Sequence, residues 1–125
     1  MLEINTETEP VRIHHYKFSN YITDEDMGTY KSHILSEFKN KNKFFAIQDV
    51  SNVDNFKLNY MKHFLILDQL FKNKNLVKQY VGATVVIVKE KNRNMFDLIF
   101  KFKKTVQPNK ILTDLEEGVK FIFSL

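Results

Sequence analysis

Cysteine is absent from the 125 residues, as is tryptophan, and only three glycines and two prolines punctuate the chain. Without cysteine there is no disulfide scaffold and no thiolate to ligate a metal or carry redox chemistry, which suits a reducing compartment. Glycines at 28, 82 and 118 are too scattered to form a phosphate-cradling loop. Few glycines and prolines also leave little room for linkers, so residues 1–125 are expected to form a single domain. Long hydrophobic runs are missing too. The longest, Phe64–Leu67 and Val85–Val88, are far too short to span a bilayer. The opening MLEINTETEP is acidic and polar, unlike a secretory leader, and a cytoplasmic location is expected. Charge of one sign does not dominate: 19 basic against 15 acidic residues leave +4, which does not point to nucleic acid.

What the chain has is apolar material, 43% of its residues and 12 phenylalanines among them, in short patterned segments. Residues 2–8 alternate and 11–18 lean to strand, with Glu9-Pro10 between them, which predicts a hairpin. Thr23 precedes Asp24, Glu25 and Asp26, an N-cap followed by acids that suit the positive end of a helix dipole. Met27, Tyr30, Ile34 and Phe38 then mark one helical face. A buried-type strand is expected over 44–50 and a long helix over about 55–72, followed by a turn or short helix over 73–81. Residues 83–88 read as an interior strand of a parallel sheet. Asn92 is placed to cap a helix over about 93–106, and a short strand follows over 110–113. Thr113 opens a last helix with Leu115, Val119 and Ile122 on its buried face. After the hairpin, helices and strands alternate, so the fold class is α/β: a mostly parallel sheet of about five strands flanked by four helices.

Parallel sheets gather functional groups at the carboxyl ends of their strands. Asp49, Ser51, Asn52 and Asp54 fall there as a polar loop, a candidate binding edge. The plainer reading is that Asp54 or Asn55 caps the long helix and Asp49 closes a turn. A phospho-accepting role for Asp49 would need further carboxylates after the first parallel strand, and Phe18-Ser19-Asn20 supplies none. His14 and His15 are adjacent on a strand and point to opposite faces, so they cannot share a metal. With His33 and His63 they are expected to be surface or half-buried packing residues. No G-x-S-x-G and no nucleophile–base pair stands out, so no catalytic residue, metal or cofactor is named.

Two stretches carry more apolar surface than a helix on a sheet needs. In 93-RNMFDLIFKFKKTVQ-107, Met95, Ile99, Phe102 and Val106 make one stripe, while Phe96, Leu98 and Phe100 fall largely outside it. Phe64–Leu67 likewise puts apolar side chains nearly all round its helix. The surplus at Phe64, Met95, Phe96, Ile99 and Phe100 points to a partner subunit, a membrane surface or an apolar ligand. Alternatively, these rings wrap the sheet edge or pack on a neighbouring helix.

The element order resembles the SpoIIAA-like (STAS-like) fold. "FSNYITDED" (18–26) is similar to that family's strand, polar turn and capped helix. "FFAIQDVSNVDNF" (44–56) is similar to its strand entering a D-x-S loop, and "KILTDLEEGVKFI" (110–122) to its closing strand and helix. The group labelled STAS/SEC14-like looks nearest. Anti-sigma factor antagonists of this family carry a phosphorylatable Ser in an Asp-Ser-Ser/Thr-Gly motif at the start of the next helix. The matching segment, Asn55–Tyr60, has no Ser, Thr or Gly, so the resemblance does not bring a phospho-switch with it. It implies a non-enzymatic protein-interaction domain in signalling, with a protein partner or a second copy in a homodimer. The alternative it leaves open is a carrier of small molecules or lipids of SEC14-like type.

Overall fold

The computed structural model describes residues 1–54, 74–102 and 108–125. In chain order they form β1 (Leu2–Glu7), β2 (Ile13–Asn20), α1 (Asp24–Lys39), β3 (Phe44–Val53), α2 (Lys74–Tyr80), β4 (Val81–Ile87), α3 (Glu90–Phe102), β5 (Asn109–Leu112) and α4 (Leu115–Phe123). The five strands form one sheet in the order β1-β2-β3-β4-β5. β1 and β2 are antiparallel, with Leu2 opposite Phe18 and Glu7 opposite Ile13, and the later pairs are all parallel. The expected α/β architecture of hairpin and crossover units is therefore present.

Each parallel strand is added on the same side of the last, so right-handed crossovers place their helices on one face. Packing agrees. Tyr30 and Ile34 of α1, Val77 of α2 and Met95 of α3 pack with Tyr16, Phe18, Phe44, Ala46 and Val86. The other face is covered by α4, whose Ile122 packs with Ile13, Ile47, Val85 and Ile87. α1 begins as its sequence dictates. Thr23 Oγ1 accepts from the Asp26 amide at 3.0 Å, and the Thr23 amide donates back to Asp26 Oδ2 at 3.1 Å. Met27, Tyr30, Ile34 and Phe38 are all buried, as their spacing predicts.

Several boundaries differ from the sequence reading. β2 starts at Ile13 and continues to Asn20, and β3 continues to Val53. α3 opens at Glu90, ahead of the expected Asn92 cap. In α4 the N-cap is Asp114 rather than Thr113, and its side chain accepts from the Glu116 amide at 2.9 Å. In each case a polar residue that looked like a terminator is accommodated by the ladder or the first helical turn. The long helix expected over 55–72 lies outside the described residues.

Two helical glycines sit in opposite circumstances. A Cβ on Gly118 of α4 would lie 3.1 Å from Val85 Cγ1 and 3.3 Å from Ile87 Cδ1, so the missing side chain lets α4 approach the sheet closely. A Cβ on Gly28 of α1 would meet nothing within 4 Å. Gly28→Ala is expected to stabilise the protein by about 0.5–1 kcal/mol by restricting the unfolded chain. Gly118→Leu is expected to destabilise it by about 1–3 kcal/mol by overpacking. Urea unfolding midpoints for the pair check both signs together.

Candidate functional site

The carboxyl edge of the sheet is built around an irregularity in β3. Lys17 pairs with Asp49 but Ser19 pairs with Asn52, so β3 carries one residue more than β2 over this stretch. This is a β-bulge, which bends the strand and re-aims its side chains. Val50 and Val53 are both buried against the helix-covered face, Ser51 is half-buried, and Asn52 and Asp54 are exposed. The bulge is closed by Asp49, whose Oδ1 accepts from the Ser51 amide at 3.0 Å and from Ser51 Oγ at 2.6 Å. Asp49, Ser51 and Asn52 thus stand on the strand and not in the loop that the sequence suggested, while Asp54 occupies the turn beyond it. The Asp54 amide donates to the Asn20 carbonyl at 2.8 Å, tying the ends of β2 and β3 together.

Asn20 itself has φ 59°, in the left-handed region that asparagine tolerates. The reversal there carries the chain out of β2 and presents Tyr21, which is 54% exposed. Tyr21, Asn52 and Asp54, all exposed, therefore form the rim, or ridge, of the carboxyl edge where β2 and β3 end. Sequence reading passed over Tyr21. Its signal was an aromatic residue directly after a strand-ending Ser-Asn pair. Chemically the ridge offers a phenol, a carboxamide and a carboxylate. The Ser51 hydroxyl donates to the Asp49 carboxylate, and among the described residues no imidazole is bonded to it.

On the face that α4 covers, His15 and Lys17 of β2 lie beside Ile47 and Asp49 of β3. Among the described residues His15 Nε2 is buried without a hydrogen-bond partner, and burial holds this imidazole below its ordinary value although Asp49 pulls the other way. Among the described residues no group of three or more His, Cys, Asp or Glu could hold a metal.

A second polar constellation lies at the opposite end of the sheet, beneath α1. His14 is fully buried, which corrects the expectation that all the histidines are surface or half-buried. Its Nε2 donates to Glu37 Oε2 at 2.6 Å, and its Nδ1 accepts from the Thr6 hydroxyl at 2.8 Å. Arg12 holds the same carboxylate in a fork, Nε at 2.5 Å and Nη2 at 3.2 Å, and Asn42 Nδ2 adds a bond at 3.2 Å. Burial opposes ionisation of Glu37, but the bonds from Arg12, His14 and Asn42 outweigh it and pull its carboxyl down to about 2. Burial lowers the His14 pKa more than Glu37 raises it. Arg12 is therefore the counter-charge, and the His14–Glu37 contact is a hydrogen bond from a neutral ring rather than an ion pair. Beside it the Tyr16 hydroxyl, pushed up by burial, donates to His33 Nδ1 at 2.8 Å. Each of these polar atoms has a named partner, which marks the network as a clamp between α1 and the hairpin.

Met95 is half-buried against the core. Phe64 lies outside the described residues, as do the side chains of Phe96, Ile99 and Phe100. Among the described residues no helix is long and apolar enough to cross a membrane.

No protein-family model matches the chain, and no curated protein matches it. Among solved structures it is similar to an uncharacterised protein of the DUF3478 family with a SpoIIAA-like fold from Shewanella loihica PV-4. The two share 16% identity at a TM-score of 0.63, over 97% of this chain and 93% of that one. The chain has a SpoIIAA-like fold.

Proposed function

We propose that this chain is a non-enzymatic, SpoIIAA-like interaction domain of the cytoplasm that binds a protein partner through the ridge at the carboxyl edge of its sheet. One observation carries this reading: where β2 and β3 end, at the β3 bulge and the left-handed Asn20 turn, three exposed residues, Tyr21, Asn52 and Asp54, stand at the same edge of the sheet. An exposed tyrosine beside an exposed carboxamide suits a protein-binding surface. The Ser51–Asp49 bond supports a binding role over a catalytic one, because it fixes the shape of the ridge and leaves the hydroxyl committed to a carboxylate.

Site-specific photocrosslinking in native cells tests the proposal. A benzophenone amino acid placed at Tyr21 and, separately, at Asn52 is expected to capture the same protein. The control position Glu117 on α4 should not capture it. Asn52→Arg should abolish capture from position 21 while leaving the unfolding midpoint unchanged. Capture equally efficient from α4, or none from either ridge position, removes the reading.

A further inference from the structure

The two edges of the sheet are unequally protected. β5 is four residues long and carries Lys110. β1 is longer, with six consecutive partners in an unbroken register against β2 and no lysine or proline within it. Charged side chains, lysine above all, prolines, bulges and short length are the usual devices that keep an edge from pairing with another chain, and of these β1 has only Glu3 and Glu7, whose charges then restrict the register in which it can pair. Beyond β1 no further strand is placed among the described residues. Along this edge runs a shallow groove with Ile4 on one side and Glu25, Gly28, Thr29, Ser32 and His33 of α1 on the other. Its helical wall is low, because Gly28 has open space where a side chain would stand.

We propose that β1 pairs with β1 of a second copy, antiparallel about a two-fold axis, to join two sheets into one of ten strands. The sequence LEINTE selects the register. A two-fold antiparallel pair must set one residue opposite its own copy. Centring on Glu3 opposes Glu3 to itself, and centring on Asn5 opposes Glu3 to Glu7, so both place like charges directly across the seam. Centring on Ile4 opposes Leu2 to Thr6, Glu3 to Asn5 and Ile4 to Ile4. That arrangement sets no charge against a like charge. It brings the apolar Leu2 and Ile4 of the second copy beneath the low wall of α1, where the groove is open. The partner this edge fits is therefore another molecule of the same chain. The ridge at Tyr21, Asn52 and Asp54 is a separate surface, so this proposal does not depend on the proposed function.

Asn5 is exposed on the face away from α1, so its replacement tests the register with little effect on folding. Because of the two-fold, Asn5→Glu creates two Glu–Glu oppositions and is expected to weaken self-association about tenfold. Asn5→Lys creates two Glu–Lys pairs and is expected to strengthen it by a similar factor. Sedimentation velocity of the full chain over a range of concentrations reads both, and urea midpoints confirm that each variant is folded. A dimer whose dissociation constant moves in opposite directions for the two variants supports the seam. A wild-type chain that stays monomeric at several hundred micromolar overturns it, as does a dimer that ignores both substitutions or responds to both alike.

Discussion

Glu37→Ala is expected to lower the free energy of unfolding by about 3–5 kcal/mol, the range typical of removing one member of a buried charged pair. The substitution takes away more than one contact. Arg12 loses both arms of its fork, and His14 Nε2 loses its acceptor in a place water does not reach. Asn42, which follows the end of α1, loses its anchor as well. Arg12→Ala should cost a comparable amount, because it leaves the buried Glu37 carboxylate without its counter-charge even though His14 and Asn42 still donate to it. Urea unfolding of the two variants gives the comparison. Small losses in both would mean that the network decorates the fold rather than holding it.

Acidification is expected to destabilise the protein as well. His14, His15 and His33 are each held below the ordinary 6.5, burial being the largest cause in all three. The unfolded chain therefore binds protons before the folded one does, and stability rises with pH through this region. It is complete above pH 6.5 and declines as the pH falls below it. Glu37 adds a second stage. Its stabilisation is full above 4.5 and is lost as the pH falls towards its folded value of about 2. Urea midpoints at pH 7.5, 6.5, 5.5 and 4.5 check the first stage, and His33→Gln should reduce its slope by removing one of the three protons. A midpoint that does not change between pH 7.5 and 5 would show that these rings take up protons as readily folded as unfolded.

How far the sequence could be read depended on the range of the forces involved. The Thr23 cap and the Met27–Tyr30–Ile34–Phe38 face follow from neighbours within one or two helical turns, and both are present. The interior strand at 83–88 is marked by its own β-branched residues, and it lies between β3 and β5 with both parallel to it. The network under α1 was not legible. Its central bond joins residues 23 positions apart, and each half has an ordinary local explanation. Glu37 sits in the charged segment SEFKNKNK, yet it follows Ile34 by three positions and so borders the buried stripe. His14 shares the buried face of its strand with Tyr16 and Phe18 by simple alternation. Only the tertiary fold brings the two together. The bulge in β3 was hidden for a different reason. Polar residues after an apolar run signal the end of a strand, and nothing local shows that β2 continues alongside to Asn20 and keeps Ser51 and Asn52 in the ladder.

The strand order across the sheet has a consequence for how the molecule assembles. Because spatial order and chain order coincide, every pairing joins strands that are consecutive along the chain, and no strand is inserted between two that are already in place. The entropy of closing each pairing is set by a single intervening connection, which keeps the mean sequence separation of contacts low for a parallel sheet. Growth by single additions from the β1–β2 hairpin is therefore open to this chain at each step. It can form its sheet without first holding a gap for a later strand to fill.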